Sequence, residues 1–295
     1  RVARPRAGAP RRVVDALSDN RDKAGRVWMR GTVSESAVER RIEGRAHVEM
    51  VSVRLAFGER RVFDGLSCAF PKGRISVILG ASGVGKSTLL RLAAGLLRPD
   101  YGEIWVGDEE ISRLSERRLR SLRHGLGMMF QGGALLGSLT VFENVALALR
   151  EHTKLRESEI ADRVHAQFEA VGLKKVDELL PGQISGGMKK RVALARAMIM
   201  EPSVLLIDEP FSGLDPLAVR LIEALLVEVN HTKGLTMVLT NHHIGSTMRM
   251  ADEIVFLVDG IAVTGSVEEM KTSTDPRIQR FFQAAGTGPA LEEAS

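Results

Sequence analysis

The sequence predicts an α/β fold built on a parallel sheet. Two observations carry this. Ile75-Ser76-Val77-Ile78-Leu79 and Val204-Leu205-Leu206-Ile207 are apolar runs of the kind found in strands buried on both faces, and residues 235–240 form a third. Segments with helical spacing separate these runs, as expected where strands alternate with helices.

Residues 1 to about 45 are rich in Arg, Ala and Gly, and no apolar period persists there, so a basic, disordered segment is expected. The chain has 295 residues and a net charge of +4, and Arg1, Arg4, Arg6, Arg11 and Arg12 crowd into its first stretch. Such a tail can touch anionic lipid or nucleic acid; a solvated tail is the simpler reading. Order is expected from residue 46. Val51, Val53, Leu55 and Phe57 alternate, which predicts a strand with one buried face. Gly58 turns the chain, residues 62–70 read as a second strand, and Pro71-Lys72-Gly73 closes it. This opening is expected as an antiparallel β piece beside the parallel sheet.

The stretch 98–102 reads as a turn, Glu103-Ile104-Trp105-Val106 as a short strand, and residues 112–122 as a helix. Gly127-Met128-Met129-Phe130-Gln131 is a strand ending in a polar residue, and Gly132-Gly133 a flexible joint. Residues 132–190 read as a helical insertion. Within it, Ile160, Val164, Phe168 and Val171 share one helix face and Gly172 stops the helix. Lys189 to Met200 is a further helix. Asp215-Pro216 starts another, with Asp at the cap and Pro in the first turn. Residues 254–258 and 261–263 flank Asp259-Gly260 as a hairpin. A short helix over 275–283 ends the expected domain, 46–285, and residues 286–295 read as a disordered tail.

Cys68 is the single cysteine, so no intramolecular disulfide is expected, in keeping with a reducing compartment; its strand-like context makes it a small core residue. No apolar stretch approaches the roughly 18–20 residues that span a bilayer, and no secretory signal is expected.

Chemistry concentrates at Gly80-Ala81-Ser82-Gly83-Val84-Gly85-Lys86-Ser87-Thr88, between a strand and a run of helix formers. That context is the one in which G-x-x-x-x-G-K-[ST] binds nucleotide phosphate. The glycines let successive N–H groups face the anion, and the helix N-terminus adds its positive dipole end. Lys86 is expected to reach the β- and γ-phosphates and Ser87 to hold Mg²⁺. Asp208 and Glu209 end the second buried strand. Asp208 is expected to fix Mg²⁺, directly or through water, and Glu209 to orient the attacking water. Ser185-Gly186-Gly187 is a second small-residue loop before a helix. It could offer N–H groups to a phosphate; two copies of the chain, head to tail, would then each supply one loop to the other's nucleotide. Read alone, Ser185 is simply a helix cap.

The order of these motifs resembles that of an ABC-transporter ATPase. Gly80 to Ser87 matches the Walker A motif, Val204 to Glu209 the Walker B motif, and Gln131 the Q-loop glutamine. Ser185-Gly186-Gly187 matches the signature core, Ser212-Gly213-Leu214-Asp215 the D-loop, His242 the switch histidine, and Phe57 the aromatic that stacks on adenine. The resemblance covers about residues 48–265. It implies a P-loop NTPase (RecA-like) core with an antiparallel β subdomain and a helical subdomain of ABC type. It further implies ATP and Mg²⁺ as cofactors, with Gln131 and His242 joining Glu209 in catalysis and Gln131 also near the metal. The signature begins with Ile184 and ends with Met188, where the family usually has Leu and Gln, and His242 is flanked by Asn241 and His243. A metal pair at His242-His243 lacks a third ligand.

A narrower likeness lies in residues 130–136, Val141-Phe142-Glu143-Asn144-Val145, Leu149-Arg150-Glu151-His152, Ser185 to Lys190, Glu209-Pro210-Phe211 and Asp275-Pro276-Arg277. These resemble the ATPases of Mla/Mce-type lipid transporters. That likeness implies a homodimer under integral membrane permease subunits, with an Mce-type substrate-binding protein beyond, at the cytoplasmic face of the inner membrane. No nucleic-acid partner is expected. The alternative is an importer ATPase for amino acids or another polar solute. A soluble ABC protein of DNA repair or translation would usually carry a long coiled coil or two tandem ATPase domains, and this chain has neither.

Overall fold

The computed structural model describes residues 46–284; the expectations for residues 1–45 and 286–295 fall outside the described residues. Two sheets organise it. The first has four antiparallel strands in the order β2-β1-β4-β5: β1 (Ala46–Phe57), β2 (Arg60–Pro71), β4 (Tyr101–Val106) and β5 (Glu109–Glu110). The second has six strands in the order β10-β9-β3-β8-β7-β6: β3 (Ile75–Gly80), β6 (Leu126–Met129), β7 (Val204–Asp208), β8 (Thr236–Thr240), β9 (Glu253–Val258) and β10 (Ile261–Gly265). All its pairings are parallel except the β9–β10 edge.

The apolar runs fold as they do because both faces of the six-stranded sheet are covered. Val77, Leu79, Leu205, Ile207, Met237 and Leu239 point into one core with the helical region. Ile78, Val204, Leu206 and Val238 point into the other, shared with the antiparallel sheet and α1 (Lys86–Ala93). A strand that buries alternate residues into two different cores has no polar face to show. Each such side chain contributes about 1.5–3 kcal/mol on full burial.

β1 departs from simple alternation. Val48 and Met50 are buried, then Val53 and Leu55, while Val51 is half-buried and Phe57 is 50% exposed. Ser52 takes a φ of 49°, and the pairing to β2 slips between Met50 and Val53. This bulge inserts a residue and shifts the inward phase, so the expected face 51-53-55-57 is wrong at both ends. Residues 112–122 are also not one helix. A 3₁₀ turn (Ile111–Arg113) precedes α2 (Glu116–Arg123), which Ser115 caps through its side chain.

Between β6 and β7 lie α3 (Val141–His152), α4 (Glu157–Ala170) and α5 (Gly186–Met198). Thr140 and Glu143 form a reciprocal capping box for α3. Ile160, Val164 and Phe168 are buried along α4. α5 begins at Gly186, three residues before the expected start, because the side chain of Ser185 accepts the Met188 N–H and draws both glycines into the first turn. After β7 come α6 (Pro216–Lys233), capped by Asp215, and α7 (Ile244–Met250); α8 (Val267–Lys271) and α9 (Pro276–Ala284) end the described residues. The short α7 and α8 lack a readable period and were not expected from the sequence.

Candidate active site

In open parallel sheets, ligands gather beyond the carboxyl ends of the strands. β3, β8 and β7 are neighbours, and their register aligns Ile78 with Thr240 and Thr240 with Asp208. The phosphate loop after β3, Asp208-Glu209 at the end of β7 and Asn241-His242 after β8 therefore emerge side by side. No single segment of sequence contains this arrangement.

A cavity of about 240 Å³ opens there, lined by Phe57, Ser82, Gly83, Gly85, Lys86, Ser87 and Thr88 on one side and by Glu209 and His242 on the other. The Lys86 ammonium donates to the carbonyls of Gly80 (2.9 Å) and Ala81 (3.0 Å), across the loop. Burial pulls the Lys86 pKa down, and the charges of Glu209 and Asp208 act in the opposite sense. Ser87 Oγ donates to Asp208 Oδ1 at 2.9 Å, and Thr240 Oγ1 donates to the same oxygen at 2.6 Å. A hydroxyl and a carboxylate side by side are hard oxygen donors, the set that suits Mg²⁺.

Glu209 is held from both sides. Its Oε1 lies 2.6 Å from His242 Nε2, and its Oε2 accepts Nε2–H of Gln131 at 2.6 Å. Three residues far apart in sequence thus meet at one carboxylate. Asn241 is buried; its Nδ2 donates to the His243 carbonyl (3.0 Å) and to Thr247 Oγ1 (3.0 Å), and its Oδ1 accepts the His243 N–H (2.9 Å). That turn sets His242 toward Glu209, while His243 goes to the start of α7 and edge-on to Phe211. The unusual neighbours of His242 are thereby accounted for. No cluster of three or more His, Cys, Asp or Glu able to hold a metal exists among the described residues.

Ser185, Gly186 and Gly187 do not reach this cavity. They line a separate hollow of about 340 Å³ with Gly213, Leu214 and Asp215. The expected flexible joint is also held. Arg196 donates to the carbonyls of Gly133 and Ala134, and Asn144, fully buried, donates to Leu136, Leu139 and Thr140 carbonyls and accepts the Leu136 N–H. Within this loop Leu135 packs on the core, and Leu136, 46% exposed, carries the apolar surface.

Three site residues escaped the sequence reading. Thr240 ends a buried strand as its one late hydroxyl. Arg60, three residues after Phe57, lines the cavity and donates Nη2–H to the Gly83 carbonyl at 2.7 Å. Lys190 lies on the apolar stripe of α5 with Ala193, Leu194 and Ala197, and a cation in that stripe is the signal that could have found it.

Comparison with known proteins follows the same line. A family model described as ABC transporter matches residues 63–212. The intermembrane phospholipid transport system ATP-binding protein MlaF of Escherichia coli K12 is 40% identical over 243 residues, 82% of this chain and 90% of the relative. The probable ribonucleotide transport ATP-binding protein mkl of Mycobacterium tuberculosis H37Rv is 37% identical, over 82% of this chain and 68% of the relative. Among solved structures, cbiO1 from Clostridium perfringens superposes with a TM-score of 0.72 at 29% identity, covering 81% of this chain and 95% of that one. The dimeric post-hydrolysis state of MJ0796 bound to ADP and Pi gives 0.69 at 28%, covering 75% and 98%. With the phosphate loop, the two carboxylates and these matches in agreement, the chain belongs to the ABC transporter family and is one of its ATP-hydrolysing subunits.

Proposed function

We propose that this chain hydrolyses ATP with Mg²⁺ in a head-to-tail homodimer and powers phospholipid transport through integral membrane permease subunits. The observation that carries the hydrolytic reading is Glu209, held by His242 and Gln131 at the mouth of the phosphate-loop cavity. In this reading Phe57 stacks on adenine, and Ser82, Gly83, Gly85, Lys86 and Thr88 surround the phosphates. Ser87 and Asp208 hold the metal. Glu209 accepts a proton from the attacking water, and Gln131 and His242 keep its carboxylate aimed. Arg60 supplies a second cation near the phosphates. Ser185, Gly186 and Gly187 close on the nucleotide of the second copy.

The lipid reading rests on likeness to MlaF, and the exposed Leu136 is proposed as the contact point for a permease helix. An Mce-type binding protein and a place at the cytoplasmic face of the inner membrane belong to the same proposal. The relative mkl carries a name for ribonucleotide transport, so a polar cargo is the competing reading.

One preparation tests both levels. The assembled complex should retain ATP binding in Glu209→Gln and lose about 10²–10⁴-fold in turnover. Wild-type turnover in that variant would refute the catalytic assignment. Leu136→Asp should release the permease and leave ATP binding by the purified chain intact. Co-purification with a solute-specific permease and no Mce-type partner would overturn the lipid reading alone.

A further inference from the structure

A buried ammonium is unfavourable unless its protons are all used. Lys190 is 7% exposed, and its Nζ donates to three acceptors: the carbonyl of Gln131 (2.5 Å), the carbonyl of Glu209 (3.1 Å) and Ser212 Oγ (3.1 Å). Those acceptors lie on two loops: Gln131 on the one after β6, and Glu209 with Ser212 on the one between β7 and α6. Lys190 itself rides on α5, five residues beyond Ser185, or about 7 Å along a rigid helix.

The Glu209 backbone explains what such a clamp is for. Glu209 has a φ of 47°, in the left-handed region that a residue with a Cβ occupies only at an energetic cost. Its peptide groups are pinned on both sides. The N–H donates to Thr240 Oγ1 at 3.0 Å, and the carbonyl accepts from Lys190, from Ser212 Oγ (3.1 Å) and from the Ser212 N–H (3.3 Å). Without the cation, that carbonyl keeps only local contacts from its own turn, and the backbone of Glu209 loses its link to the Gln131 carbonyl and to α5 through Lys190.

We propose that Lys190 is a positioning residue for hydrolysis. It holds Glu209 in the strained conformation that aims its carboxylate, and it ties that conformation to the Gln131 loop and to the helix headed by Ser185. Movement of the Ser185 helix onto a nucleotide is thereby conveyed to the carboxylate through one rigid contact. The inference rests on the reading of Glu209 as the residue that orients the attacking water.

The test uses the assembled complex with Lys190→Met, Lys190→Arg, Glu209→Gln and the Lys190→Met/Glu209→Gln pair. Lys190→Met should lower kcat roughly 10- to 100-fold, the scale of a small misplacement of a catalytic group. Its KM for ATP should stay within about twofold. Lys190→Arg, which keeps a multiple donor, should recover most of the rate. The double variant should be within about twofold of Glu209→Gln in single-turnover hydrolysis, because Lys190 acts through that residue. An undiminished kcat in Lys190→Met would overturn the inference. So would a lowered melting temperature with normal kcat per folded complex, or a multiplicative loss in the double variant. Normal turnover in Glu209→Gln would instead overturn the reading on which the inference stands.

Discussion

The two glycine-bearing loops both sit at helix N-termini, yet their glycines answer to different demands. In the phosphate loop, Gly80 has a φ of 144° and Gly85 one of 113°. A Cβ at Gly80 would lie 2.6 Å from the Leu257 carbonyl oxygen, and one at Gly85 would lie 2.8 Å from Val62 Cγ1 and 3.0 Å from the Phe63 ring. The chain's own fold requires glycine there. Gly186 and Gly187 lie in the first turn of α5 with ordinary helical backbone. Added Cβ atoms would meet nothing nearer than Leu214 Cδ2 at 3.8 Å and Ala218 Cβ at 3.9 Å, which is ordinary contact. Nothing among the described residues demands glycine at these two positions. Their bare backbone suits close approach from outside, which is what the proposed second copy, bringing its nucleotide phosphate, would make.

This contrast gives the largest expected effect. Gly85→Ala should lose ATP binding and destabilise the isolated chain, since both the backbone and Phe63 oppose the methyl. Gly186→Ala should do the reverse to stability. Alanine is favoured over glycine in a helix by about 1 kcal/mol, so the melting temperature should hold or rise while turnover of the complex collapses. Thermal melts of the chain beside ATPase rates of the complex read both. Wild-type turnover in Gly186→Ala would end the argument for an approaching partner.

A middle-sized effect sharpens the phosphate-loop half. His242 touches Glu209, whereas His243 serves the start of α7 and the Phe211 ring. His242→Ala should lower turnover about 10²-fold with little change in nucleotide affinity. His243→Ala should leave the rate near wild type. Steady-state kinetics decide the matter, and a reversed ranking would move the switch by one residue.

The smallest effect lies in α6, which lines the hollow beside the second loop. Glu223 on α6 is 5% exposed and accepts from Arg249 Nη2 (2.5 Å), Arg249 Nε (3.0 Å) and Arg220 Nη1 (3.3 Å). Burial raises its pKa, but the hydrogen bonds from Arg249, Ser246 and Arg220 outweigh it and hold the carboxyl below its ordinary value. A depressed folded pKa means stability that is fully present above the ordinary carboxylate range and lost as pH falls through the folded value. Glu223→Gln should therefore cost about 1–3 kcal/mol at neutral pH. That gap should close on acidification, with turnover unaffected at neutral pH. Denaturation midpoints across an acid series check this, and a pH-independent gap would assign the effect to packing.

Local physics made much of this protein readable. The phosphate loop was legible because a tight anion-binding curl needs glycines at set spacings, and those residues announce themselves. The two-sided strands were legible because burial on both faces leaves a run almost wholly apolar, Ser76 being the exception in β3. The N-caps at Ser185 and Asp215 likewise show in short sequence windows. Where a second element intervened, the reading failed. The bulge at Ser52 shifted the inward face of β1, and Arg196 and Asn144 hold a loop that two glycines had suggested would flex.

The sequence by itself determined the chemical groups available: a phosphate loop, two carboxylates at a strand end, a glutamine, two adjacent histidines and a second glycine pair. Only the tertiary structure decided which of them meet. Strand order β3-β8-β7-β6 brings Ser87, Thr240 and Asp208 together and sets His242 and Gln131 on Glu209. It also turns Lys190 from a surface-type residue into a buried clamp across two loops. The physical reason is range. Backbone conformation and burial pattern are set within a few residues. A hydrogen bond between side chains far apart in sequence exists only after the sheet has chosen its neighbours and register.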